Sequence, residues 1–200
     1  TTPIDVIPTG LRSEFFNAGS GEGMRAALGI PAQAFVVGHI GRLAPEKNLE
    51  YLGEALMRFL VECPQAHALI VGSGPCAASL RAQAAAAGVA NRVVMPGTLD
   101  HPLLASAYRA MDVFAFASKT ETQGMVLTEA LAGGTPVLAL DAPGAREVVI
   151  DGANGRLLDA QASSTDFAAA LKSLAQLDPV LFRRLRRRAR VTALDYGIER

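Results

Sequence analysis

Residues 112–140 read DVFAFASKTETQGMVLTEALAGGTPVLAL. Two short runs, DVFAFAS (112–118) and PVLAL (136–140), are apolar without polar alternation. That pattern belongs to strands buried on both faces, as in a parallel sheet. Between them MVLTEALAGG (125–134) reads as a helix stopped by two glycines and Pro136. Strand, helix and parallel strand in succession make a right-handed βαβ unit.

Outward from this stretch the alternation repeats. AFVVGHI (34–40), HALIVG (67–72), RVVMPG (92–97) and GRLL (155–158) read as strands. NLEYLGEALMRFLVEC (48–63) reads as a helix with Leu49, Leu52, Leu56, Phe59 and Leu60 on one face. SLRAQAAAAG (79–88), stopped by Gly88, LLASAYRAM (103–111), and segments 164–176 and 179–194 read as further helices, and NAGSGEG (17–23) as a surface loop. The expected fold class is α/β: a Rossmann-like, doubly wound parallel sheet, one domain over residues 1–200. Ligands of such sheets bind at the carboxyl ends of the strands.

Composition narrows the function. Half of the 200 residues are hydrophobic, enough for one well-packed core. Lys+Arg 19 against Asp+Glu 19 leaves no basic excess, which argues against a nucleic-acid binder. No apolar run approaches the ~20 residues of a membrane span, and no signal peptide is expected. Cys63 and Cys76 show neither disulfide nor metal-ligand spacing, pointing to a reducing, cytoplasmic setting without a metal site. The chain starts Thr-Thr-Pro with no Met, so it reads as a piece of a longer protein.

Two constellations fall at expected strand ends. In GHIGRLAPEKN (38–48), Gly41 and Arg42 follow the first strand and Lys47 precedes the next helix. A glycine lets a ligand approach the backbone. An Arg fork and a mobile Lys charge suit a diphosphate, although spacing alone favours reading both as solvated loop charges. GSGP (72–75) is a second, less specific glycine turn. In the opening stretch, Glu121 precedes a helix that starts near Gly124, leaving the amides of Gly124, Met125 and Val126 free for an anion. Glu129 lies about a turn into that helix among Val126, Leu127, Ala130 and Leu131, and a carboxylate buried there needs partners. The two glutamates could bracket an extended ligand and accept from sugar hydroxyls. They could also be a helix-entry charge and an exposed helix residue.

These residues resemble a known family. Glu121 and Glu129, seven residues between them, look like the two-glutamate motif of retaining glycosyltransferases. GRLAPEKN (41–48) is similar to the phosphate-binding segment of glycosyltransferase family 4. VIPTGL (6–11) and EVVIDGANGRLL (147–158) resemble that family's entry to its C-terminal domain and a later turn and strand. The likeness covers roughly residues 4–195 in the expected order. It implies the C-terminal, donor-nucleotide half of a GT-B fold, with an acceptor-binding N-terminal domain elsewhere in the full protein. It implies that Arg42 and Lys47 hold the diphosphate of a nucleotide sugar, that Glu129 accepts from the ribose, and that Glu121 orients the sugar with amides around Gln123, Gly124 and Met125. Leu99 would meet the base through its backbone. A UDP-sugar is the favoured donor and a GDP-sugar the second, with no metal or other cofactor, and a hexose would be transferred with retention.

The loop KTETQG (119–124) resembles members that glycosylate diacylglycerol or similar lipids. His39, His67 and His101 read as strand or loop residues rather than catalytic ones. The tail FRRLRRRAR (182–190) reads as a solvated final helix or one packed on the other domain, with contact to anionic lipid at the inner membrane face as the alternative. Competing functional readings are a nucleotide-sugar-binding module without catalysis and a GT-B nucleotide-sugar epimerase. A dinucleotide-binding domain fits less well, because GHIGRL (38–43) lacks the G-x-G-x-x-G pattern.

Overall fold

The structure is a computed structural model, described here for residues 10–12, 15–16, 18–120 and 124–197. Six strands, β1 (Phe35–Ile40), β2 (Ala66–Val71), β3 (Val93–Gly97), β4 (Val113–Phe116), β5 (Val137–Leu140) and β6 (Gly155–Leu158), form one sheet. All pairings are parallel, and the order is β3-β2-β1-β4-β5-β6. β1 joins β4 through Val37 opposite Val113 and Gly38 opposite Phe114. Every residue of β4 and β5 is buried, so these two strands lie inside the molecule as their unalternating pattern requires.

Eight helices accompany the strands among the described residues: α1 (Gly21–Ala27), α2 (Leu49–Glu62), α3 (Ala77–Ala86), α4 (His101–Ala110), α5 (Met125–Ala132), α6 (Pro143–Arg146), α7 (Ser164–Ala175) and α8 (Pro179–Ala193). Two apolar clusters cover the two sheet faces. One gathers Leu52, Leu56, Phe59 and Leu60 of α2 with α3 and α7, and the other gathers α1, α4 and α5. This is the doubly wound arrangement expected from the sequence. The last helix, α8, runs beneath the amino ends of the strands. Phe182 packs on Phe35 of β1, and Arg186 bonds Met111 O at 3.3 Å just before β4. No helix among the described residues is long and apolar enough to cross a membrane.

One expectation is corrected. Residues 21–23 of the glycine-rich segment 17–23 are the start of α1, not surface loop: Ser20 Oγ accepts from Gly23 N at 3.0 Å and caps the helix, which buries Met24. An N-cap serine serves a helix as readily as a loop, and the glycines masked it. The short helix α6 also went unread.

Candidate functional site

The strand order reverses between β1 and β4. In open α/β sheets the crevice at that reversal, outside the carboxyl ends of the strands, is where ligands bind. Two loops frame it here, residues 41–48 after β1 and the segment after β4. They are laced together. Asn48 Nδ2 donates to Ala117 O at 3.1 Å, while Ser118 Oγ and Thr120 Oγ1 donate to Glu46 O at 3.4 and 3.3 Å. Asn48 is the one non-glycine residue with positive φ among the described residues, at 55°. Asparagine tolerates this left-handed bend, which carries the 3-10 turn Pro45–Lys47 into α2.

Arg42 is exposed and pairs with Glu46 four residues on. Lys47 is half-buried at the end of the 3-10 turn, close enough for its charge to disfavour protonation of His39. Gly41 and Arg42 also line a cleft of about 320 Å³ with Gly72, Ser73, Thr98 and Leu99, between the loops that follow β1, β2 and β3. Backbone bonds tie those loops: Gly41 N to Val71 O at 3.0 Å, Leu43 N to Ser73 O at 2.8 Å and Gly72 N to Gly97 O at 2.8 Å. The approach needs a glycine at 72. Its φ is +135°, and a Cβ there would lie 1.9 Å from the Gly41 carbonyl oxygen.

On the far side of the crevice α5 begins at Gly124, which is buried, left-handed at φ 60° and offers no side-chain cap. The amides of Met125 and Val126 in its first turn have no partner within the helix, which makes this end receptive to an anion. Glu129 stands on α5 half-buried, and Tyr108 Oη donates to its Oε2 at 2.6 Å. Burial pushes the Glu129 carboxyl up, while the Tyr108 bond and the nearby His101 pull it back. The fully buried Tyr108 phenol is held well above its usual range by burial and by Glu129, so it stays the donor. Tyr108 sits on α4 one turn after Leu104, which lines the cleft. One helix therefore supplies the cleft wall and the hydrogen bond that fixes Glu129. Glu121 and Gln123 lie outside the described residues.

His39 and His67 are strand residues, as expected, whereas His101 opens α4 rather than lying in a loop. His39 is buried, its Nδ1 donates to Ala115 O at 3.1 Å, and its Nε2 has no partner among the described residues. Burial, partly offset by that bond, lowers its pKa to about 4, so it is a neutral ring. Sequence reasoning missed Tyr108. Its only signal was general: a buried tyrosine hydroxyl needs a partner. Among the described residues no group of three or more His, Cys, Asp or Glu could hold a metal ion.

A larger groove of about 580 Å³ lies elsewhere, between α2 and α3, and includes Met57, Val61 and Ala86. It runs along α2 from Glu50 to Glu62 against Gln83, Ala86 and Ala87, and among the described residues none from the loops that follow the strands lines it. Chemistry, not size, selects the site at the strand reversal.

The family described as "Glycosyl transferases group 1" matches residues 22–192. A D-inositol 3-phosphate glycosyltransferase from Segniliparus rotundus is 36% identical over 163 residues, covering 80% of this chain but 36% of the relative. The chain thus spans little more than a third of that protein's length. Among solved structures, Anabaena HepE in complex with UDP and glucose superposes with a TM-score of 0.82 at 28% identity, covering 96% of this chain and 52% of HepE. The C-terminal domain of a group 1 glycosyl transferase (LpcC) from Francisella tularensis has the same fold, with a TM-score of 0.83 at 24% identity, covering 95% of this chain and 100% of that domain.

Proposed function

The chain belongs to the group 1 glycosyl transferases, and from that premise we propose that it is the donor-binding half of a retaining hexosyltransferase of GT-B architecture. The observation that carries the proposal is the lacing of the loop bearing Arg42 and Lys47 to the end of β4, where α5 and Glu129 follow. One crevice then offers cations for a diphosphate, a free helix start and a fixed carboxylate for hydroxyls.

In this reading the donor diphosphate displaces Glu46 from Arg42 and is held by Arg42, Lys47 and the backbone at Gly41. These charges stabilise the leaving diphosphate as the glycosidic bond to it breaks. The base lies in the cleft against the backbone of Leu99. Glu129, fixed by Tyr108, accepts from the ribose hydroxyls, and Glu121 orients the hexose with the amides of Gln123, Gly124, Met125 and Val126. UDP is the favoured nucleotide, supported by the complex of HepE with UDP and glucose, and GDP is the second. The acceptor belongs to an N-terminal domain facing this one across the cleft. The KTETQG loop favours a glycolipid or diacylglycerol acceptor and, with it, a cytoplasmic enzyme that touches the inner membrane face. The name of the Segniliparus relative brings D-inositol 3-phosphate in as the competing acceptor.

The test is transfer by the full-length protein from UDP- and GDP-hexoses to diacylglycerol or inositol phosphate, with the product anomer read by proton NMR. The proposal expects a product with the donor's anomeric configuration. An inverted product, or donor binding with no transfer to any acceptor class, would contradict it.

A further inference from the structure

At the amino end of the sheet, opposite the donor crevice, four guanidinium groups gather around one carboxylate. Arg25 Nη2 and Arg186 Nη1 bond the two oxygens of Asp112 at 2.8 and 3.2 Å, and Val36 N adds a third bond to Asp112 at 2.8 Å. Arg109 and Arg190 stand beside them. Burial and the neighbouring Arg190, Arg25 and Arg109 charges hold the Arg186 guanidinium below its usual range, against the pull of Asp112. A cavity of about 370 Å³ opens on this cluster, lined by Ser20, Gly21, Glu22, Arg109, Arg186 and Arg190.

Asp112 explains Arg25 and Arg186 as a clamp between α1, the start of β4 and α8. It does not explain the other two. Among the described residues Arg109 Nη1 reaches only Phe16 O at 3.5 Å, and its buried Nε has no partner. Arg190 makes no ion pair among the described residues. Its side chain lies on Gly134, where a Cβ would come within 2.4 Å of its Nε. Among the described residues Glu22 is the one acid on the cavity wall. Like charges gathered in a half-buried place destabilise the fold unless an anion joins them. A phosphate group, with several oxygens to offer to guanidinium forks, is the ligand whose geometry matches.

We propose that this cavity is a second anion site, which takes a phosphate group, free or as the headgroup of an anionic lipid. It shares no residue with the donor crevice and does not depend on the reading of that crevice. The exposed Arg183, Arg184, Arg187 and Arg188 of α8 lie close by and would add long-range attraction.

The experiment is calorimetric titration of this chain with inorganic phosphate at constant ionic strength, comparing the parent with Arg190→Gln and Arg42→Ala. Arg190 is on the surface, so its variant is expected to fold, which circular dichroism would check. The site predicts saturable binding that weakens about tenfold in Arg190→Gln, is partly kept in Arg190→Lys, and persists in Arg42→Ala. Loss in Arg42→Ala with Arg190→Gln unaffected would assign the phosphate to the donor crevice and overturn the proposal. A second arm uses flotation on phosphatidylcholine vesicles with and without phosphatidylglycerol. Flotation that needs phosphatidylglycerol and falls in Arg190→Gln identifies a lipid headgroup, and saturable phosphate binding without flotation identifies a free anion. Neither phosphate binding nor Arg190-dependent flotation would overturn the site.

Discussion

At the scale of single residues, the crevice depends on a few polar groups held by buried neighbours. Glu129 is fixed by Tyr108 at 2.6 Å, so its carboxylate is set before a ligand arrives. Glu129→Ala is expected to weaken UDP binding about tenfold or more, and Glu121→Ala to weaken UDP little but UDP-sugar strongly. Equal losses for UDP in the two variants would undo that division of roles. His39 carries a pH prediction. Its folded pKa of about 4 lies below the unfolded value near 6.5, so its stabilising contribution is complete above about pH 6.5. That contribution falls as the pH drops toward 4, by up to about 3 kcal/mol. His39→Leu should show a shallower loss of urea stability between about pH 7 and pH 4.5 than the parent. Identical slopes would mean that His39 is not kept neutral by the fold. The types and spacing of Arg42, Lys47 and Glu129 were legible in the sequence. Tyr108 and Asn48 were not, because a hydrogen bond between distant segments leaves no local pattern.

At the scale of elements, the strands and helices were legible because burial on both sheet faces removes polar alternation and leaves strong apolar runs. Even the stop at Gly88 corresponds to a left-handed residue just past α3. What stayed hidden was how loops lean on one another. GSGP (72–75) looked like any turn between a strand and a helix, yet at Gly72 the backbone of the loop after β1, at Gly41, comes too close for any side chain. Gly72→Ala should therefore push the 41–48 loop away, cost at least about 2 kcal/mol of stability and weaken diphosphate binding together. Denaturant midpoints and nucleotide titrations check this, and an unchanged UDP affinity would show that the loop contact does not shape the site. The start of α1 was hidden differently: its glycines suggested a loop, while contacts with distant segments anchor it, Ser20 N to Ser106 Oγ at 3.0 Å and Arg25 to Asp112 at 2.8 Å.

For the whole molecule, the sequence predicted a doubly wound parallel sheet but not its strand order, which depends on pairings between distant segments. That order puts the strand reversal, the proposed ligand crevice, between β1 and β4 and brings residues 41–48 against the end of β4. The balanced overall charge, 19 Lys+Arg against 19 Asp+Glu, averaged away the arginines beneath the sheet. The central claim is that a nucleoside diphosphate binds at the reversal through Arg42. Calorimetric titration of this chain with UDP, uridine, GDP, ADP and NAD tests it most directly. The account predicts saturable binding of one nucleoside diphosphate, UDP first, with Arg42→Ala costing that ligand ~1.5–3 kcal/mol while the bare nucleoside is little affected. Equal weakening of UDP and uridine by Arg42→Ala, or NAD bound in preference to every nucleoside diphosphate, would contradict it.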